Sequence, residues 1–373
     1  MRTMSNMRVA IVHYWLVNMR GGEKVLEALC EMFPQADIYT HVYDGSRISE
    51  TIKKHRIFLT KISRLPFARK LYKIYLTFMP AALQQLNLGG YDLVISSESG
   101  PAKGIILPSH IPHVCYCHTP MRYLWDQYHE YLAQTKGFAR WYFERKSMSL
   151  RQWDISTANS VDVFVANSHN VARRIKRIYH RDSEVIYPPV DVERFAVNRK
   201  KEDYYLFLGH LVGYKRADLA IEACIRMGRR LIVAGGGGKA YQFKDLPDSI
   251  VLRGNVCEEE KIELLRNARA LLFPGEEDFG IVPVEAMASG TPVIAYSRGG
   301  ALETIKDTLN GVFFHQQTTE SLIHAMQKFE EREHLFDGRL MRMEAMKFDK
   351  NVFIRKMGTL IRQAVSSVAA NSK

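Results

Sequence analysis

Phe273 to Gly300 reads FPGEEDFGIVPVEAMASGTPVIAYSRGG, and it sets two carboxylates, Glu277 and Glu285, eight positions apart around the turn Phe279-Gly280-Ile281. Pro283 stands near the expected first helical position, where a missing N–H costs nothing. A helix is therefore predicted over Val284 to Ser289, with Glu285 in its first turn and Glu277 in the loop before it. The free backbone N–H groups of such a helix start make a cradle for phosphate or sugar oxygens. Carboxylates only accept hydrogen bonds, so a pair mounted in these two ways suits a ligand with two sets of hydroxyls. A sugar nucleotide, a hexose and a ribose joined by two phosphates, has them. The spacing alone could arise by chance. The continuation Ala288-Ser289-Gly290-Thr291-Pro292-Val293-Ile294-Ala295, a helix stop followed by a buried parallel strand, argues against chance.

On either side of this segment, apolar runs alternate with helix-length stretches, the pattern of parallel sheets with crossover helices. Strands are predicted at Arg8 to His13, Leu93 to Ser96, Val114 to Cys117, Val163 to Ala166, Tyr205 to Leu208, Leu231 to Ala234, Ala270 to Phe273 and Val293 to Ala295. The pair Pro188-Pro189 fits neither a central strand nor a helix interior, and it separates the strand-like Glu184 to Tyr187 from a new βα series. The boundary is placed there, giving domains 1–188 and 189–350 and a final segment 351–373.

The chain's 373 residues, 46% hydrophobic and 25% charged, are enough for two domains with real cores and exclude a disordered or fibrous protein. No apolar run reaches the roughly 18 to 20 residues that span a bilayer, and the start MRTMSNMRVAIVHYWL lacks the order of a signal peptide, so a cytoplasmic location is expected. Five cysteines without framework spacing fit a reducing compartment. In HVCYCHTP, His113, Cys115, Cys117 and His118 are open to a metal reading, although a buried strand explains the alternation better; no metal is expected. The net charge of +12 is uneven. From Thr51 to Tyr91 there is no acidic residue, while Lys53, Lys54, Arg56, Lys61, Arg64, Arg69, Lys70 and Lys73 are interleaved with apolar side chains. Such a stretch suits the anionic inner face of a membrane, each basic residue contributing about 1 kcal/mol. A solvated helix face is the plainer alternative, and no nucleic-acid motif accompanies the charge.

The Phe273–Gly300 segment closely resembles the donor-site motif of glycosyltransferase family 4, a family of retaining sugar transferases. The resemblance implies an α/β GT-B fold, two Rossmann-like domains facing each other across a cleft, with the last helix, here Asn351 to Ala369, crossing back to the first domain. It implies that Glu277 meets sugar hydroxyls, that the amides of Phe279, Gly280 and Ile281 meet sugar and phosphate, and that Glu285 takes the ribose. Gly21 and Gly22, at a strand-to-helix junction, resemble the first loop that approaches the donor diphosphate. The run Leu208-Gly209-His210-Leu211-Val212-Gly213-Tyr214-Lys215-Arg216 matches the phosphate clamp, with His210 where an arginine is usual, Lys215 in place, and Arg216 as a substitute cation. Gly235 to Lys239 resembles the family's glycine turn without its acidic residue, and Arg253, Asn255 and Val256 fall where the base is held against the main chain.

By the same resemblance His118 touches the donor sugar near the reacting carbon, and Tyr123, Trp125 and Asp126 belong to the acceptor side. His118, Lys215 and Glu277 are thus the expected catalytic residues. The segment from His118 resembles bacterial mannosyltransferases of O-antigen and exopolysaccharide synthesis. That implies transfer of mannose or a related hexose from a nucleotide-sugar donor, GDP-linked, to a lipid-linked saccharide or polysaccharide, without metal or cofactor and without nucleic acid. Three other activities fit parts of the same pattern: a sugar-nucleotide epimerase or phosphorylase, a noncatalytic carbohydrate- or nucleotide-binding component of an assembly complex, and a nicotinamide oxidoreductase. The last lacks an intact G-x-G-x-x-G after the first strand.

Overall fold

A computed structural model describes residues 6–198, 200–237, 243 and 245–371. The chain divides into two compact units, one running through Pro189 and rejoined by the segment from Phe353, the other spanning Val190–Val352. The first unit holds seven strands: β1 (Val9–His13), β2 (Asp37–Thr40), β3 (Arg56–Leu59), β4 (Leu93–Glu98), β5 (His113–Cys117), β6 (Val163–Ala166) and β7 (Glu184–Val185). They form one parallel sheet in the order β3-β2-β1-β4-β5-β6-β7. The second unit holds β8 (Tyr205–Leu208), β9 (Leu231–Ala234), β10 (Ile250–Gly254), β11 (Ala270–Phe273), β12 (Val293–Tyr296) and β13 (Gly311–Phe314), again all parallel, in the order β10-β9-β8-β11-β12-β13. Each order reverses once, at β1/β4 and at β8/β11. In doubly wound sheets the loops beyond the carboxyl ends of strands at this reversal are where ligands bind.

The central strands are continuous apolar runs because both faces are covered by helices. In the first unit Val9, Ile11, Ile95, Val114 and Tyr116 pack against Leu26 and Leu29 of the helix Gly21–Met32 and Phe33 just after it, and against Phe353, Met357 and Ile361 of the final helix Lys350–Asn371. In the second, Tyr205, Phe207, Leu231, Leu272 and Ile294 meet Leu322, Met326 and Phe329 of the helix Thr319–Arg332.

All eight predicted strands are present, and the strand-like stretch before Pro188 contains β7. Four strands, β2, β3, β10 and β13, were not predicted. Arg253, expected where the base is held, lies with Gly254 at the end of the edge strand β10. The basic stretch 51–91 contributes β3 and then a chain of short helical turns between Lys61 and Gln84.

Candidate functional site

In the second unit the site grows from the two loops at the sheet reversal. After β8 the chain makes a tight turn over Gly213–Lys215; after β11 it runs through Glu277 into the helix Ile281–Ala288. A side chain at Gly275 would strike the Lys215 backbone, its Cβ falling 2.7 Å from Lys215 Cα, so glycine there lets the two loops touch. The result is an ion pair: Lys215 Nζ lies 2.7 Å from Glu277 Oε1, both side chains largely shielded. The Glu277 loop is supported from below, where Gly300 N–H donates to the Glu277 carbonyl at 2.9 Å.

Gly280, with φ +87°, occupies left-handed space open to glycine and turns the chain directly into the helix. The helix therefore begins at Ile281, three residues before the predicted start at Val284. Pro283 becomes its third residue, still within the first turn where no N–H is needed, and Glu285 falls in the second turn rather than the first. Glu285 is buried and meets Lys261 Nζ at 2.7 Å. Burial works against the Lys261 ammonium, but the carboxylates of Glu285 and Glu258 outweigh it and hold its pKa above the ordinary lysine range. Sequence reasoning missed Lys261, which carries no motif and is brought in from the helix Glu258–Asn267 only by the fold.

His210 lies against the glycine turn after β9: a Cβ on Gly237 would sit 2.9 Å from its ring. The remainder of that predicted turn, Gly238-Lys239, lies outside the described residues. The Arg216 guanidinium is turned onto Asp218, with contacts of 2.9 to 3.1 Å, and donates to the Gln317 carbonyl at 3.4 Å. Arg253 and Asn255 are exposed beside Gly254. The Phe279 side chain is buried against Phe348.

In the first unit Gly21 and Gly22 open the helix Gly21–Met32, where Glu23 accepts the Arg20 N–H at 2.9 Å. A Cβ on Gly22 would fall 2.3 Å from the Tyr14 hydroxyl. His118 follows β5; its Nε2 meets Ser97 Oγ at 2.9 Å, and Ser97 Oγ in turn meets His13 Nδ1 at 3.0 Å. Burial, with a smaller push from His13, pulls the His118 pKa down to about 3, so the ring is neutral near pH 7. Trp125 donates its indole N–H to Asp154 at 2.8 Å, Asp126 pairs with Arg174 at 2.8 Å, and the Tyr123 hydroxyl meets the Met121 sulfur at 2.8 Å. Trp125 and Asp126, but not Tyr123, line an open cavity of about 510 Å³ with Tyr128, His129, Arg151 and Arg177. Behind Trp125, Asp154 belongs to a fully buried cluster with Lys103 and Glu98, in which Lys103 Nζ also lies 3.4 Å from Glu98 Oε1. Neither His13, Ser97 and Glu23 nor this cluster was foreseen, because each joins residues far apart in the chain. Among the described residues no group of three or more His, Cys, Asp or Glu side chains is arranged to hold a metal; His113, Cys115 and Cys117 are strand residues of the core.

Two doubly wound parallel units, each with glycine turns and buried charged side chains at the reversal of its strand order, define the two-Rossmann-domain GT-B class. The chain belongs to the family 4 glycosyltransferases: residues 19–194 match the family described as Glycosyltransferase Family 4, and residues 190–351 match Glycosyl transferases group 1. It is similar to the alpha-1,3/1,6-mannosyltransferase ALG2 of Homo sapiens, at 29% identity over 46% of this chain and 51% of that protein. The ALG2 of Saccharomyces cerevisiae is 24% identical over 74% of this chain and 65% of its own length. The chain thus spans between about half and two thirds of these relatives. Among solved structures, HepE of Anabaena in complex with UDP and glucose has the same fold, with a TM-score of 0.71 at 15% identity over 96% of this chain and 100% of that one.

Proposed function

We propose that this protein is a retaining glycosyltransferase that moves a hexose, mannose or a close relative, from a nucleotide-sugar donor, with GDP as the expected carrier, onto a lipid-linked oligosaccharide or surface polysaccharide. The observation that carries the reading is the Lys215–Glu277 pair at 2.7 Å beside the Gly280 helix start. It puts a cation, a carboxylate and the main-chain amides of a helix start at one sheet edge, the three groups that a diphosphate-linked sugar needs. Mannose is favoured because the human and yeast relatives are mannosyltransferases.

On this reading the donor diphosphate draws Lys215 away from Glu277, freeing the carboxylate for sugar hydroxyls. As the bond from the anomeric carbon to the diphosphate oxygen lengthens, negative charge collects on the leaving group. Lys215 and the amides after Gly280 oppose it, fixed donors aimed at developing charge. The acceptor oxygen attacks from the face the diphosphate leaves and gives its proton to that departing group. Neutral His118 contacts the sugar, and Glu285, steadied by Lys261, binds the ribose. No divalent metal is assigned to any step.

Peripheral contact with the inner, cytoplasmic membrane face belongs to the same proposal. Phe67, Ile74 and Phe78 are more than half exposed within the stretch that lacks acidic residues, flanked by Arg64, Arg69, Lys70 and Lys73. Phe138 and Trp141 are likewise exposed on the helix Gly137–Ala158, which Tyr142 joins to that stretch through a 2.7 Å bond to Thr77. No described helix is long and apolar enough to cross a membrane.

A thermal-shift screen with GDP, UDP and ADP, each with and without its sugar and all in EDTA, tests the donor assignment, since the shift scales with affinity for the native state. The largest shift is expected with the guanine nucleotides. Shifts that appear only when a divalent metal is restored would contradict the metal-free reading.

A further inference from the structure

The open cavity beside Trp125 holds two cations whose charge no carboxylate answers. Arg151 reaches it from the helix Gly137–Ala158, and Arg177 from the helix His169–Tyr179. Arg151 Nε donates to the Leu124 carbonyl at 2.6 Å, and its Cζ lies 4.2 Å from the centre of the Tyr128 ring. Those contacts fix the guanidinium, while its two terminal nitrogens have no hydrogen-bond partner among the described residues. Arg177 is exposed and has no ion-pair partner among those residues. Asp126, a carboxylate of the same lining, is already taken by Arg174 at 2.8 Å. A guanidinium fork held in one plane suits the paired oxygens of a phosphate.

Apolar side chains share the cavity: Leu124, Trp125 and Ile178 line it with the arginines. On the helix Gly137–Ala158, helical spacing sets Arg151 between two stripes. One is the buried face of Ser147, Leu150, Asp154 and Ala158. The other is Trp141, Met148 and Ile155, at seven-residue intervals and 55%, 66% and 39% exposed. An anion between the arginines therefore has an unpartnered apolar track beside it. The cavity also stands apart from the strand ends where the donor is expected. The helix His169–Tyr179 starts just after the carboxyl end of β6 and runs back along the sheet, so Arg177 lies roughly 12 Å of helix rise from that edge.

We propose that this cavity is an anion site separate from the donor loops, in which Arg151 and Arg177 take the phosphate of an amphiphile whose chain lies along Trp141, Met148 and Ile155. The site stands on the geometry alone. Two sources share this chemistry, a phospholipid of the bilayer and the lipid phosphate that carries an acceptor saccharide; the second rests on the glycosyltransferase reading above.

Titration of hexyl phosphate, inorganic phosphate and hexanol into the full chain, followed by calorimetry, tests the site. Hexyl phosphate is expected to bind about fivefold or more tightly than either of the others. Inorganic phosphate binding equally well overturns the amphiphile, and hexanol binding equally well overturns the anion site. Arg177→Gln, a change on an exposed helix surface, should weaken hexyl phosphate about tenfold, while Lys215→Ala should leave it unchanged. The reverse pattern would put the anion in the donor loops and overturn the proposal. Met148→Ser with Ile155→Ser should remove the advantage of the hexyl chain and leave inorganic phosphate as it was; an undiminished advantage overturns the role of the stripe. Geranyl phosphate and dihexanoyl phosphatidic acid then separate the sources: a preference for the first supports a lipid carrier of the acceptor, and a preference for the second supports a bilayer lipid. A chain without transferase activity would count against the proposed function, while these titrations would still decide the site.

Discussion

His210 and His41 show how differently two histidines behave in one chain. His210 stands in a loop where the family's clamp usually has arginine, pressed against Gly237. An imidazole lacks the permanent charge and the bidentate fork of a guanidinium. His210→Arg is expected to keep or raise turnover with the nucleotide sugar; a large loss would mean that the loop holds the diphosphate in another way. His41 is buried between Thr60, 2.9 Å from Nδ1, and the Pro101 carbonyl, 3.1 Å from Nε2. Burial lowers its pKa to about 4, the carbonyl only partly opposing it. Because the folded value lies below the unfolded value of 6.5, no stability is lost above pH 6.5. Below it the unfolded chain takes up a proton that the folded one refuses, and the loss grows until pH reaches about 4. At pH 5 that is about 2 kcal/mol. Thermal melts of wild type and His41→Gln between pH 7.5 and 5 should show a smaller acid loss in the variant; parallel curves would contradict the assignment.

The elements that the sequence made plain are those buried on both faces. β1, β4, β5, β8, β9, β11 and β12 are apolar runs between turns and read directly. β3 and β10 were invisible because they are exposed edges whose Arg56, Arg253 and Gly254 look like loop, and β2 because Asp37 opens it. The helix start was misplaced for a local reason: Pro283 was read as a first residue, whereas Gly280 in left-handed space begins the helix and the proline is tolerated anywhere in the first turn. Gly280 is accordingly the element's most constrained position. Gly280→Ala would put a Cβ 3.0 Å from the Phe273 ring at φ +87°. A loss of about 1 to 3 kcal/mol in denaturant unfolding is expected, with weaker nucleotide binding; an unchanged midpoint would show that the turn relaxes freely.

At the scale of the molecule, motifs delivered the loops and the strand ends of the site but not its internal partners. Glu277, Glu285 and Lys215 were legible one by one, since each sits in a recognisable turn. That Lys215 closes on Glu277 and Lys261 on Glu285 was not, because such pairs depend on strand order rather than spacing. The charge imbalance of the first unit was legible as composition, and the exposed Phe138 and Trp141 were not. Sedimentation with vesicles containing anionic lipid should carry the protein down at low salt and release it as salt rises. Phe67→Ser with Ile74→Ser should weaken the binding, and equal binding to neutral vesicles would contradict charge-led docking. Whether a diphosphate is held by Lys215 in exchange for Glu277 is decided by calorimetric titration of GDP, UDP and their monophosphates into wild type and Lys215→Ala. A diphosphate is expected to bind wild type more tightly than its monophosphate, and Lys215→Ala to weaken it about tenfold or more, with little change for the monophosphate. Equal affinity of the two proteins for the diphosphate would contradict it.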